Sequence, residues 1–139
     1  MFNQIYRIMK IVQAILQKGE WLLDALKRIG HSMIPTNCIL NKTLTGLGAT
    51  HSEIHSKRSS IIIEPNVPVI LGKLDDNENL EAVYAKCTPY NLKKYLQMDI
   101  QYKKIITTPE SFKKIRKAAE ELHINIYKTF FCLFDECEK

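Results

Sequence analysis

Asp135 and Glu136 follow directly on Phe130-Phe131-Cys132-Leu133-Phe134, so the chain turns from wholly apolar to acidic in one step. An unbroken apolar run without alternation predicts a strand buried on both faces, as in a parallel sheet covered by helices. In open parallel sheets ligands lie beyond the carboxyl ends of the strands, which is where both carboxylates would project. There an Asp can hold Mg²⁺ and the next carboxylate can orient a water toward a phosphate. A solvated acidic turn after a buried strand is the plainer alternative.

A second stretch with possible chemistry is Thr45-Gly46-Leu47-Gly48-Ala49-Thr50. Two glycines and a hydroxyl, after a short strand candidate at Asn37–Leu40 and before a helix candidate at 51–57, could turn backbone amides toward a phosphate. A Gly-x-Gly stretch is more often only a tight turn. Against the phosphate-loop pattern that ends Gly-Lys-Ser/Thr, Gly48 and Thr50 are kept and Ala49 stands where the Lys belongs. Lys42, Lys57 and Arg58 are the cations the sequence offers in its place.

A third stretch is Thr107-Thr108-Pro109-Glu110-Ser111, after the β-branched run Lys104–Thr107. Thr108 is placed to be an N-cap, with Pro109 at the first helical position and Glu110 complementing the dipole. The helix that follows should bury Phe112, Ile115, Ala119 and Leu122. It would expose Lys113, Lys114, Arg116 and Lys117, either as a solvated face or as a phosphate-backbone contact surface.

Other candidates carry less. His51 and His55 are four apart without a third ligand or the His-Glu-x-x-His order, so zinc is not expected. The acidic loop 75–79 lacks the glycine and terminal Glu of a calcium loop and reads as a solvated turn. Trp21 lies on an apolar stripe and reads as a packing residue.

The elements that must position these groups alternate in type. Apolar residues at spacings of three and four predict a helix over 2–16, and a second helix runs through Trp21, Leu22, Ala25, Leu26 and Ile29 to Gly30. Strands are expected near Cys38, Ile62, Val83, Ile105 and Leu133, with Pro65 and Pro68 stopping the second and a basic helix at 91–96. The fold class is therefore α/β with a mainly parallel sheet, preceded by two helices.

Taken in order, Thr45–Thr50, then Ile61-Ile62-Ile63-Glu64-Pro65-Asn66, then Thr107–Ser111, then Leu133-Phe134-Asp135-Glu136-Cys137-Glu138 resemble motifs I, Ia, Ib and II of the superfamily-two helicases of DEAD/DEAH-box type. The resemblance covers 35–139 and leaves 1–34 as a helical lead-in. It implies a RecA-like first lobe that binds ATP and Mg²⁺ and touches a nucleic-acid strand, DNA or RNA. The nucleotide would lie on Thr45, Gly46, Leu47, Gly48, Ala49 and Thr50, and the metal on Thr50 and Asp135. Asp135 and Glu136 would be catalytic, and the strand would lie on Thr107, Thr108, Pro109, Lys113, Lys114 and Lys117. The departures are Ala49 for Lys and Glu138 for Asp or His. Motif III, with a strand expected between those of motifs I and II, and a second lobe with its arginine finger would follow motif II, which implies the front part of a longer protein or a truncated reading frame. The alternative is a non-catalytic interaction or remnant module of a phage or mobile element.

Composition sets the outer limits. A chain of 139 residues with 45% hydrophobic and 25% charged residues forms one domain with a real core. The net charge of +5 favours an anionic partner. Four cysteines without a CxxC pair read as reduced thiols, and no apolar run reaches a membrane span. The expected location is the cytoplasm, of a host cell if the chain is phage-encoded.

Overall fold

The computed structural model describes residues 11–40, 48–75 and 79–135. Among them run α1 (Leu22–Arg28), α2 (Ala49–Ile54), β1 (Ser60–Ile63), α3 (Val67–Asp75), β2 (Leu80–Val83), α4 (Pro89–Gln97), β3 (Lys104–Thr107), α5 (Phe112–Glu121), α6 (Ile126–Thr129) and β4 (Phe131–Phe134). The protein is α/β, and the four strands form one all-parallel sheet in the order β2-β3-β1-β4.

β1 and β3 form the centre because their runs, Ser60-Ile61-Ile62-Ile63 and Lys104-Ile105-Ile106-Thr107, are buried along their whole length. Side chains alternate between faces. Ile61, Ile63 and Ile105 join Val83, Leu92, Tyr95, Ile115 and Ile126 on the face covered by α4, α5 and α6. Ile62 and Ile106 join Ile70 of α3 and Leu80 on the other face. The chain moves one way along the sheet through α3 and the other way through α4 and α5, so the covering helices lie on opposite faces, as crossovers of a single hand require.

α1 caps the second face. Asp24 accepts the amide of Trp21 at 2.9 Å to open the helix, and Leu22 and Leu26 bury against Ile34 and Ala49 beside Phe131 and Leu133. Among its described residues, the lead-in packs on the sheet through α1 and Ile34.

Several expectations are corrected. Residues 11–16 are irregular rather than helical, with Ile11 and Ile15 exposed; the helix expectation for 2–10 lies outside the described residues. No strand forms at Asn37–Leu40: Ile39 is exposed, Asn37 has a φ of 53°, and the sheet offers these residues no partner. β2 begins earlier than expected, at Leu80. The prolines after β1 open a helix, because Pro68 falls in the first turn of α3, where a missing N–H costs nothing. β4 is not buried on both faces. Among the described residues it pairs only with β1, it is half-buried, and Phe134 is 65% exposed.

The Thr-Pro capping logic holds at a different place. Thr88 caps α4, accepting the Asn91 amide at 3.2 Å with Pro89 behind it. At Thr108-Pro109 the chain makes a turn instead, with the Thr108 carbonyl accepting the amides of Ser111 and Phe112, and α5 starts after Ser111.

Candidate functional site

The carboxyl ends of the strands meet α2 at Thr50. Its Oγ1 lies 2.9 Å from Asp135 Oδ2 and 3.0 Å from Glu64 Oε1. Each partner is fixed by the sheet. The Asp135 amide donates to the Ile63 carbonyl at 2.9 Å, and the Glu64 amide donates to the Thr107 carbonyl at 2.8 Å, so each strand's hydrogen-bond ladder runs one step past its end. Glu64 and Thr50 are buried and Asp135 is half-buried, so the group opens toward solvent on the Asp135 side.

Strand parity explains the meeting. Ser60, Ile62 and Glu64 share the face under α2, and so do Lys104, Ile106 and Thr108, and Phe131, Leu133 and Asp135. Each strand thus carries an apolar middle and a polar or acidic exit on that face. The exits of β1 and β3 lead to helices on opposite faces, so the topology switches between Glu64 and Thr108, the usual ligand position in such sheets.

Thr50 and Asp135, both expected in the site, are brought together across 85 positions of sequence. Glu64 was not expected there. Its signal was a carboxylate ending a β-branched run with the parity of Ser60 and Ile62. Thr45, Gly46, Leu47 and Glu136 lie outside the described residues, as does Lys42.

Gly48 adopts a φ of 85°, the left-handed region that favours glycine, as the residue before α2. The ring of Trp21 lies over it, 3.3 Å from where a Cβ would stand, so Trp21 packs as expected but at the surface, 61% exposed. Ala49 is buried against Leu22, Leu26 and Ile34. Lys57 and Arg58 cannot replace the missing Lys, because they follow α2 at the opposite end of the sheet. There Arg58 pairs with Glu53 at 2.7 Å.

Thr107 is fully buried, and its hydroxyl donates to the Val83 carbonyl at 2.8 Å, joining β3 to β2. It is therefore turned away from any phosphate at the strand exits. Thr108 is also buried, while Pro109 is exposed. On α5, Lys113 and Lys117 face solvent, but Lys114 reaches back to the carbonyls of Tyr84 and Ala85, each at 3.1 Å, and steadies the loop after β2.

At the amino ends of the strands lies a second polar group. Lys104, 4% exposed, donates from Nζ to the Glu53 carbonyl at 2.7 Å, Ser56 Oγ at 2.8 Å and Ser60 Oγ at 3.0 Å. Burial pulls its pKa down to about 8, against the attraction of Glu53, and Arg58 adds to the lowering. Burial raises Glu53, but hydrogen bonds from Arg58, Ser60 and Ser56 and the Arg58 charge outweigh it, and the carboxyl is held below its ordinary value. Arg58 also donates to the Ile34 carbonyl at 2.9 Å and lies 3.5 Å over the ring of Phe131. None of these residues was expected to act together.

A hydroxyl and two carboxylates form the hard oxygen set that Mg²⁺ takes, so Thr50 and Asp135, with Glu64 behind them, fit that ion. Among the described residues no group of three or more His, Cys, Asp or Glu forms a metal cluster. His51 and His55 stack on each other with ring centroids 4.4 Å apart. The described thiols Cys38, Cys87 and Cys132 are free, and burial raises the latter two. No described helix is long and apolar enough to cross a membrane.

Compared with protein-family models, curated proteins and solved structures, the chain gives no significant match.

Proposed function

We propose that this chain is a helicase-like lobe of RecA type that binds ATP with Mg²⁺ and touches a nucleic-acid strand, and that it does not turn over ATP by itself. The observation that carries the reading is the 2.9 Å hydrogen bond between Thr50 and Asp135. The hydroxyl that closes motif I and the Asp that opens motif II are the pair that holds Mg²⁺ in phosphate-loop enzymes. Their meeting at the carboxyl ends of a parallel sheet supports the assignment made on motif order. Glu136 would orient the attacking water. Turnover would wait on an arginine finger from a second lobe or partner chain, a group worth roughly 10³ to 10⁵ in rate in related phosphoryl transfer.

Nucleic acid would lie along Thr108, Pro109 and the solvent-facing Lys113 and Lys117, held by its phosphates and not by its bases.

A specific observation favours a second reading, a non-catalytic interaction or remnant module. Ala49 is not merely uncharged; it is part of the apolar cluster with Leu22, Leu26 and Ile34, where a Lys would have no room to reach a phosphate.

Titration with a fluorescent ATP analogue, with and without Mg²⁺, separates the two. The lobe reading expects Mg²⁺-dependent binding that Asp135→Asn and Thr50→Val each weaken at least tenfold, about 1.4 kcal/mol. Absence of binding by the folded parent protein, or binding indifferent to both substitutions, would leave the interaction module.

A further inference from the structure

We propose that Lys104 is the positioning residue of the candidate site: by tying the carboxyl end of α2 to the amino ends of β1 and β3, it sets where Thr50 stands between Glu64 and Asp135. The functional consequence rests on the nucleotide reading of that site, whereas the positioning is a property of the protein without ligand.

An ammonium has three protons, and Lys104 places them on three acceptors. Two of these, the Glu53 carbonyl and Ser56 Oγ, belong to the last turn of α2 and the residues just after it. The third, Ser60 Oγ, opens β1. Thr50 and Glu53 are one turn apart on the buried side of α2, a rise of about 4.5 Å. Nothing compliant lies between the end that Lys104 holds and the hydroxyl that meets Glu64 and Asp135. Arg58 holds the same helical end from the other side through Glu53 and the Phe131 ring.

The charged groups facing Lys104 are Glu53 from α2 and Arg58 from the loop before β1. From α4, the Tyr95 hydroxyl bonds the Lys104 main chain, accepting from its N–H at 3.0 Å and donating to its carbonyl at 3.2 Å. The charge of Glu81 on β2 is felt at that Tyr95. α3 and α5 present apolar residues to β3, Ile70 and Ile115 among them. A neutral amine keeps only two protons, so losing one leaves one of the three acceptors without the lysine and removes the positive charge beside the last carbonyls of α2. The brake on α2 is therefore released near pH 8, where Lys104 titrates.

The test is an NMR titration of the intact, ligand-free chain from neutral pH to well above that midpoint, following Lys104 Cε together with the Thr50 amide and methyl. The expected result is a Thr50 shift sharing the Lys104 midpoint. Lys104→Arg keeps its charge throughout and should abolish the step while the protein stays folded. Lys104→Met should abolish it with Thr50 fixed at the high-pH position. Thr50 signals that stay flat while Lys104, Ser56 and Ser60 titrate would overturn the proposal, and the wild-type titration decides alone if either variant fails to fold. In a second arm, Mg²⁺-dependent binding of the ATP analogue should fall several-fold across the midpoint in wild type and stay level in Lys104→Arg. No binding at any pH would reject the nucleotide reading, with the positioning still decided by Thr50.

Discussion

Glu64 and Asp135, at the ends of adjacent parallel strands, both face the single hydroxyl of Thr50, at 3.0 and 2.9 Å. One hydroxyl is shared by two carboxyl groups, and together they form an oxygen set of the kind that a divalent cation takes. A divalent cation arriving there would stabilise the native state by mass action.

Mg²⁺ alone is therefore expected to raise the melting temperature, and Asp135→Asn to remove most of that gain. Thermal unfolding with Mg²⁺ or with an equal ionic strength of Na⁺ checks this. Equal shifts from both salts would mean screening and not a site.

Thr50→Val removes the shared hydroxyl while keeping the shape of the side chain. Without metal the expected loss of stability is about 1–3 kcal/mol, the cost of taking a hydrogen bond from a buried polar group. Urea unfolding measures it, and a loss below the noise would show that the two carboxyl groups do not depend on Thr50.

The pH dependence of stability should bear the mark of Lys104. Its pKa falls from 10.5 to about 8 on folding, so between those values the unfolded chain binds more protons and stability rises with pH. Burying the charge costs stability in full below about pH 8, and that cost fades toward pH 10.5, by roughly 3 kcal/mol in all. Unfolding free energies of wild type, taken relative to Lys104→Met across this range, should show the gain. A flat difference would mean the ammonium is not desolvated.

Glu53 has the opposite sign. Its carboxyl is held below the ordinary value in the folded protein, so its contribution is present above pH 4.5 and disappears as the pH falls below it. Removing its partner with Arg58→Leu should cost about 1.5–3 kcal/mol at neutral pH, the worth of a hydrogen bond to a charged group, because Ser56 and Ser60 still bond the carboxylate and Lys104 still attracts it. The acid limb of the stability curve should flatten in Glu53→Gln, and an unchanged acid limb would contradict the assignment.

Gly48→Ala should destabilise by about 1 kcal/mol or more, because an alanine resists the left-handed conformation and its Cβ would meet Trp21. Adding Trp21→Ala relieves only the contact. A double variant as stable as Trp21→Ala alone would show that the backbone conformation costs nothing.

What the sequence revealed and what it hid have physical causes. β3 and the buried side of α5 were legible because β-branched runs and three-four spacing were confirmed by burial on the faces they implied. Ile39 and Ile15 carried the same local signals, yet both are exposed, since local pattern cannot show whether a neighbouring element exists to cover it. Asp135 and Thr50 were legible as polar residues in loops after or before strand candidates, and the structure brings their side chains together. Glu64 and Lys104 were hidden because their roles depend on register: the pairing of Ser60 with Lys104 and Phe131 puts the polar starts of β1 and β3 level with the ring that opens β4. Thr107 shows the converse, a motif residue whose hydroxyl the neighbouring strand has already taken.

The cluster that joins Leu22, Leu26 and Ile34 to Phe131 and Leu133 also dictates a timetable. A ribosome delivers α1 and α2 long before β4, so the part of their shared apolar cluster that Phe131 and Leu133 cover stays open until those residues emerge. Such distant closure slows folding and leaves sticky surface open in the interval. The nascent chain should therefore be a client for chaperones until Leu133 has left the exit tunnel.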